Sequence, residues 1–328
     1  ALADTAEVAA ATVDLIREKS LPVFTSWVGG TEMQKGREIF NRAGIPTFDS
    51  PERAVRAFMD IYRYSKNIEM LQQIPSLLPK KLEFDRTKAK NLIKKGLANK
   101  NGFLPESEAR ALLSAYGIPV NRMEMAATKE EAVQKASDLG FPVVLKINSR
   151  EITHKSDAKG VLLDLKNEQE VSKAFEQIMQ SAKSYNSEAR LEGVTIQPMV
   201  KHRDFELILG AKKDRDFGPV ILFGMGGVLT EVLKDRAIAL PPLNRLLAKR
   251  LIEKTRVYRL LQGYRNVPPA NLELLEEILI RLAHLVTDFS EIQELDINPL
   301  AITENGFSAV DARILLGASE IPAPLHLV

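Results

Sequence analysis

The sequence predicts two kinds of fold in one chain, an α/β part followed by an α+β part. Residues 1–74 read as helix, strand, helix, strand and helix in turn, which is the pattern of a parallel sheet covered by helices. Residues 101–328 mix helices with strands joined by hairpins, without regular alternation. Residues 75–100, with prolines and then many lysines, are predicted to be a linker with a surface helix.

Capping residues mark the helices of the first part. Asp4 and Glu7 have capping-box spacing ahead of the first helix, and Ser50 with Pro51 begins the third. The two strands between the helices are too few for a stable parallel sheet. We therefore expect this part to be the end of a larger doubly wound domain, with apolar surface exposed unless a partner covers it.

The larger part begins with a helix that ends at Gly117, and Thr128 with Glu131 caps the next helix. After Pro269, leucines recur on one face of a long predicted helix. A final hairpin is predicted to turn at Asn305–Gly306. Strands are predicted between these helices at FPVVLKI, GVLLDL, VTIQPMV, FELILGA and PVILF.

Composition excludes several classes of protein. The chain of 328 residues is 45 % hydrophobic and 27 % charged, as in ordinary globular proteins, and fits two or three domains. A net charge of +2 favours neither nucleic acid nor an anionic membrane as a partner. The apolar runs are shorter than the roughly 20 residues of a membrane helix, and without a secretory signal we expect a cytoplasmic protein. The chain has no cysteine, which removes thiol chemistry.

Lys146 is the first candidate functional residue, because it lies in the otherwise apolar strand FPVVLKI. A buried ammonium is costly unless it pairs with a carboxylate or a phosphate. The alternative is an edge-strand lysine that reaches solvent.

The turn Ile152–Asp157 contains His154, one of four histidines in the chain. A neutral imidazole is nucleophilic near neutral pH and can accept a phosphoryl group. Spacing alone favours the alternative, which is a solvated polar turn.

Three glycines, Gly224, Gly226 and Gly227, follow a predicted strand directly. Without side chains they would let backbone N–H groups approach phosphate oxygens. The pattern is neither a Walker loop nor a dinucleotide fingerprint, and a tight turn is an equally good interpretation.

The last hairpin carries oxygen ligands of the kind that Mg²⁺ prefers. Its turn would bring Asn298 close to Asp311 across the ladder, with Asp296 two residues away. The alternative is that these side chains simply project from a sheet face, although Asn–Pro inside an apolar strand is unusual for packing alone.

Taken in order, these segments resemble one family, the nucleoside-diphosphate-forming acyl-CoA synthetases, relatives of succinyl-CoA synthetase. HKSD-x-x-GV, FGPV-x-x-FG-x-GG and ELDINP are its most specific patterns, and the resemblance covers essentially the whole chain. It implies an ATP-grasp domain at 101–328, preceded at 1–74 by the end of a flavodoxin- or Rossmann-like CoA-ligase domain.

The resemblance also implies roles for single residues. His154 would carry the phosphoryl group to or from the nucleotide, and ATP or ADP with Mg²⁺ would be the cofactors. Residues implied to bind the nucleotide, from phosphates to adenine and ribose, are Lys146, Gln197, Met199, Val200, Glu206, Gly224, Gly226 and Gly227. Residues implied to hold the metal are Glu231, Asp296, Asn298 and Asp311. Lys159 departs from the pattern, since many relatives have glycine there.

The implied function is the nucleotide-binding part of an ADP-forming acetyl-CoA-type synthetase, an acid–thiol ligase that is incomplete in this chain. CoA would bind through domains outside this chain, which with a second phosphohistidine would lie upstream or in a separate subunit, and we expect an oligomer. The alternative is a nucleotide- or acyl-CoA-sensing module of a GNAT-type protein acetyltransferase. A carbon–nitrogen ligase on the same fold is a weaker third interpretation.

Overall fold

The computed structural model divides the chain into two compact units, Ala1–Ile74 (unit 1) and Pro75–Val328 (unit 2). The structure describes residues 4–19, 21–72, 82–99, 102–149, 151–152, 155, 157–200, 205–227, 234–265, 267–304 and 306–317.

Unit 1 has the alternating order that the sequence predicts, and its two strands pair in parallel. Its elements are α1 (Thr5–Arg17), β1 (Thr25–Ser26), a 3₁₀ turn (Thr31–Met33), α2 (Gln34–Arg42), β2 (Thr47–Phe48) and α3 (Pro51–Gln72). Asp4 and Ser50 are confirmed as helix caps: the Asp4 carboxylate accepts from Ala6 N at 2.8 Å, and Ser50 Oγ accepts from Arg53 N at 3.4 Å. A small core forms around Phe40, whose ring lies 5.3 Å from that of Trp27.

Helix α3 exposes a row of large apolar side chains. Val55 is 61 % exposed and Tyr62 is 49 % exposed, with Met59 between them on the same face. The described part of unit 1 therefore exposes a row of apolar side chains on α3, and clustered apolar exposure usually marks a binding surface.

Unit 2 contains two antiparallel sheets with helices packed on them. Its first elements are α4 (Arg86–Leu97), α5 (Glu106–Ala115), β3 (Glu124–Ala126), α6 (Lys129–Leu139), β4 (Val143–Ser149), β5 (Val161–Leu165), α7 (Glu168–Tyr185) and β6 (Leu191–Pro198). The remaining ones are β7 (Leu207–Asp214), β8 (Gly218–Met225), β9 (Arg236–Ala239), α8 (Arg245–Glu253), α9 (Val257–Leu261), α10 (Leu272–Asp288), β10 (Ile292–Thr303), β11 (Gly306–Ala309) and β12 (Ala312–Leu316).

The smaller sheet has four strands in the order β3-β6-β4-β5, covered on one face by α6 and α7. Val143, Leu145 and Ile147 of β4 are fully buried in the core with these helices. Because side chains alternate along a strand, Lys146 projects from the opposite face of the sheet.

The larger sheet has six strands, in the order β11-β10-β7-β8-β9 with β12 on β10. Helix α10 covers it, and the predicted apolar repeat of α10 is confirmed because Leu275, Leu279 and Leu282 are fully buried. Helix α4 lies in the segment expected to be a linker. Its Ala89 and Ile93 are buried in the same core, so this helix is part of unit 2.

Among the described residues, no helix has the combined length and apolarity that crossing a bilayer requires.

We expect the face of α3 to bind an apolar dye. The double substitution Val55→Ser and Met59→Ser should lower the fluorescence of added anilinonaphthalene sulfonate severalfold without lowering the Tm, because both side chains are already solvated. The control is Phe217→Ser with Ile238→Ser, which removes two apolar side chains of unit 2 that are 69 % and 61 % exposed. Equal loss of fluorescence in both variants would contradict a binding face on α3.

Candidate functional site

Lys146 is the centre of a polar cluster between the two sheets of unit 2. Only 6 % of the residue is exposed, and its ammonium donates to the carbonyl oxygen of Val310 at 3.3 Å. Its Nζ lies 3.8 Å from Oε1 of Glu106 and 3.9 Å from Oδ2 of Asp311. The lysine is therefore paired inside the protein and does not reach solvent from an edge strand.

Glu106, the first residue of α5, is the carboxylate shared by this cluster. Its Oε1 accepts from Gln197 Nε2 at 3.0 Å and lies 3.7 Å from Arg110 Nη1, and its Oε2 accepts from Lys155. Burial alone would raise the pKa of Glu106, but Lys146, Lys155 and Arg110 outweigh that effect and hold it below its usual value. Glu106 is thus an ionised, buried carboxylate.

Arg110, one helical turn further along α5, connects this cluster to the last hairpin. Its guanidinium donates to the Val310 carbonyl at 2.9 Å and to the backbone and side-chain oxygens of Asn121. The Asn121 amide in turn donates to Gln197 Oε1 at 3.4 Å. These buried hydrogen bonds fix Val310, the neighbour of Asp311, against α5.

The three candidate glycines end β8 where neighbouring backbones leave no room for a side chain. A Cβ on Gly224 would lie 2.2 Å from the Asp235 carbonyl oxygen, and one on Gly226 would lie 2.7 Å from Leu207. Gly227 has φ +72°, which favours glycine. Close packing and a left-handed turn account for these glycines, and the same turn leaves the Gly227 N–H directed towards Asn298 Oδ1, 3.5 Å away.

The last hairpin brings two candidate ligands to opposite positions. The pairs Ile297↔Ala312 and Leu300↔Ala309 share one register, which sets Asn298 across from Asp311. Along β10 the core residues Leu295 and Ile297 are buried, so Asp296 and Asn298 lie on the other face.

This donor set is chemically suited to Mg²⁺. The Asn298 amide oxygen and the Asp311 carboxylate are hard oxygen donors on facing strands, next to the Lys146 ammonium and the glycine turn. Within the described residues, no group of three or more His, Asp or Glu could hold a metal. The pair would therefore need further ligands, as Mg²⁺ usually obtains from water and substrate phosphates.

Two predicted residues, His154 and Glu231, lie outside the described residues. Lys155 beside His154 is described, and its carbonyl accepts from Gly160 N at 2.8 Å. Lys159 has φ 50°, in the left-handed region. A glycine would adopt that conformation without strain, whereas lysine costs roughly 1 kcal/mol there.

Backbone hydrogen bonds hold two of the nucleotide candidates, Met199 and Glu206, at the ends of strands. Met199 N donates to the Pro142 carbonyl at 2.8 Å, which holds the end of β6 beside the start of β4. Glu206 accepts from Gly226 N at 2.8 Å through its carbonyl, so this residue directly adjoins the glycine turn. Val200, which follows Met199 in the sequence, is partly exposed.

Sequence reasoning missed Glu106, Arg110 and Asn121. A signal was available, because a lysine in an apolar strand requires a counter-charge and Glu106 precedes Arg110 by four residues on one helix face.

Comparison with known proteins identifies the class. Residues 95–316 match the ATP-grasp domain family, so unit 2 contains an ATP-grasp domain. The chain is 38 % identical over 291 residues to ADP-forming acetate–CoA ligase I of Archaeoglobus fulgidus, covering 89 % of this chain and 42 % of that protein. It is 41 % identical over 229 residues to the beta subunit of ADP-forming acetate–CoA ligase I of Pyrococcus furiosus, covering 70 % of this chain and 98 % of that subunit.

A solved structure is similar over the same region. The dinucleotide-forming acetyl-coenzyme A synthetase 1 of Ca. Korarchaeum cryptofilum, in complex with coenzyme A and Ca-AMPCP, is 38 % identical with a TM-score of 0.67, covering 70 % of this chain and all of that one. In a second structure of that synthetase, with coenzyme A and Mg-AMPPCP, the phosphohistidine segment points towards the nucleotide-binding site. This second structure is 36 % identical with a TM-score of 0.62 and has the same coverage of both chains.

The chain belongs to the ADP-forming acyl-CoA synthetase family, and its relatives are ligases. It spans less than half the length of the Archaeoglobus relative. These relatives give no support to a regulatory acetyltransferase module.

Asp296 should titrate near pH 6 in metal-free protein. Burial, with Glu294 and Asp311 nearby, raises its pKa to about 6 from 3.8, against the opposing effect of Arg313. From about pH 4 to about pH 6 the folded state keeps a proton that the unfolded chain loses, so the free energy of unfolding falls as pH rises.

Asp296→Asn should abolish this fall. As the pH rises from about 4 to about 7, the free energy of unfolding of the variant should come to exceed that of the parent protein by about 1–2 kcal/mol. Urea unfolding in EDTA across this range measures it, with Asp216→Asn at an exposed turn as the control. Parallel pH curves for Asp296→Asn and the parent would contradict the prediction.

Proposed function

We propose that this chain is the nucleotide-binding part of an ADP-forming acyl-CoA synthetase, in which His154 exchanges a phosphoryl group with ADP or ATP. The complete protein would convert an acyl-CoA, ADP and phosphate to the free acid, CoA and ATP. Relatives with this name are the basis for the reaction class.

The observation that carries the proposal is the convergence of three phosphate-binding features. The buried Lys146 ammonium lies 3.9 Å from Asp311, and Asn298, opposite Asp311, lies 3.5 Å from the Gly227 amide. A cation, a backbone N–H turn and a pair of oxygen ligands are the groups that a nucleoside polyphosphate with its metal requires.

The nucleotide would be bound by residues on both sheets. Lys146, Gly224, Gly226 and Gly227 would contact the phosphates, and Gln197, Met199 and Val200 would contact adenine, with Glu206 at the ribose. Asn298 and Asp311, with Asp296 and Glu231, would hold Mg²⁺. When bound, Mg²⁺ would neutralise charge on the phosphate oxygens.

Phosphoryl transfer to ADP exchanges one bond for another. The N–P bond of phosphorylated His154 breaks, a terminal oxygen of ADP forms the new P–O bond, and the ring takes up one proton to become neutral imidazole. Little covalent chemistry remains for other side chains, so positioning and charge would supply most of the rate.

CoA and the acid would bind outside this chain. Upstream domains or a separate subunit would supply those sites and the first phosphohistidine, and the apolar face of α3 in unit 1 fits such a neighbour. We propose a cytoplasmic, oligomeric assembly.

Lys146→Met should weaken binding of Mg-ADP to the intact protein by about 10- to 100-fold, which is the loss expected for one charge-assisted hydrogen bond. Isothermal titration calorimetry measures the Kd. The control is Lys166→Met, an exposed lysine that pairs with Asp164 in the same sheet region. An unchanged Kd in Lys146→Met would remove this lysine from the nucleotide site.

His154→Ala should separate binding from transfer. In the intact protein we expect an unchanged Kd for Mg-ADP, while ATP formation falls by about three orders of magnitude or more because the covalent carrier is lost. Incubation with γ-labelled ATP should label the parent protein on His154 and leave the variant unlabelled. Turnover close to that of the parent would overturn the role of His154.

A further inference from the structure

The carboxylate of Glu106 connects two lysines that come from different parts of the chain. Lys146 lies within β4, and Lys155 lies beyond the end of β4, next in sequence to His154. Both ammonium groups face Glu106, one at each carboxylate oxygen. The Glu106 side chain is 9 % exposed, so water screens these interactions weakly.

The backbone of Lys155 is anchored close to Lys146. Gly160 donates to the Lys155 carbonyl at 2.8 Å, and Ile147, adjacent to Lys146, donates to the Gly160 carbonyl at 2.7 Å. A change in the position of one lysine can therefore affect the position of the other, both through Glu106 and through these two hydrogen bonds.

The charges of this cluster do not balance within the described part of the protein. Lys146, Lys155 and Arg110 supply three cations, whereas the described carboxylates within 4.0 Å of them are Glu106 and Asp311. An incoming polyphosphate would compete with Glu106 for Lys146, because both are anions that seek the same ammonium.

We propose that Glu106 is a positioning residue that couples occupation of the nucleotide site to the placement of Lys155. A phosphate that binds Lys146 leaves the Glu106 carboxylate to Lys155, which fixes the position of this lysine, the next residue after His154 in the sequence. This inference rests on the proposed nucleotide function. It assigns to Glu106 two opposed effects, weaker binding of the nucleotide and better placement of Lys155 for turnover.

The first test needs no nucleotide. In the intact protein, acetylation of single lysines by a limiting reagent is followed by mass spectrometry. In Glu106→Gln, Lys146 and Lys155 should both react about tenfold faster, the size expected for loss of one charge-assisted hydrogen bond. The control Glu108→Gln, on the same helix and paired with Lys95 at 2.5 Å, should leave both rates unchanged.

A second variant tests the coupling without removing the buried carboxylate. Lys155→Met should slow the acetylation of Lys146 by about two- to fivefold. Without Lys155, the Glu106 carboxylate interacts more strongly with the Lys146 ammonium, which makes this lysine less reactive. The same substitution in the Glu106→Gln background should have no effect on Lys146. Additive effects in this cycle would overturn the coupling.

The third measurement separates coupling from simple structural support. Glu106→Gln should bind Mg-ADP about tenfold more tightly and form ATP about tenfold more slowly, with Glu106→Asp partly restoring both. Weaker binding together with slower turnover, or faster acetylation of every lysine, would show that Glu106 only supports the fold. If the parent protein does not bind Mg-ADP, the nucleotide function fails, and the acetylation rates still decide whether Glu106 couples the lysines.

Discussion

One buried ammonium constrains much of unit 2. Lys146 projects from the face of the small sheet that α6 and α7 do not cover, where an unpaired charge would cost several kcal/mol. Its partners come from α5, from the corner at Val310 and from Asp311, so satisfying one charge holds the two sheets together. Removing the Glu106 carboxylate would leave the ammonium of Lys146 and the guanidinium of Arg110 buried without this partner, which would lower the stability of unit 2.

The fold can be predicted where local signals are strong. Helix α10 has a long apolar repeat and the caps of α1, α3 and α6 are local in sequence, so the sequence alone predicts these elements. It does not predict strands β3 and β9, because three or four residues carry too little periodicity. Their pairing with β6 and β8 defines them, and that information is not local.

The residues of the candidate site also differ in how far the sequence predicts their positions. The hairpin spacing is sufficient to predict that Asn298 and Asp311 lie opposite each other, because only a short turn separates their strands. Hairpin spacing gives no information about Glu106, and the need of Lys146 for a counter-charge does not say which carboxylate supplies it. A carboxylate in the first turn of a helix is ordinary in sequence, and its partner Lys146 lies forty residues away in the chain. The family resemblance implies roles for single residues, whereas the pairing of Glu106 with Lys146 depends on how distant segments of the chain pack together.

The register that β10 shares with β11 and β12 from Glu294 to Thr303 limits how the last hairpin can vary in length. Extra residues at the turn between Thr303 and Gly306 lie beyond the paired positions and leave Asn298 across from Asp311. A single residue inserted between Asn298 and Ile302 would exchange the two faces of the strand, turning buried side chains outward and site side chains inward. We therefore expect natural length variation to be confined to the tip of this hairpin.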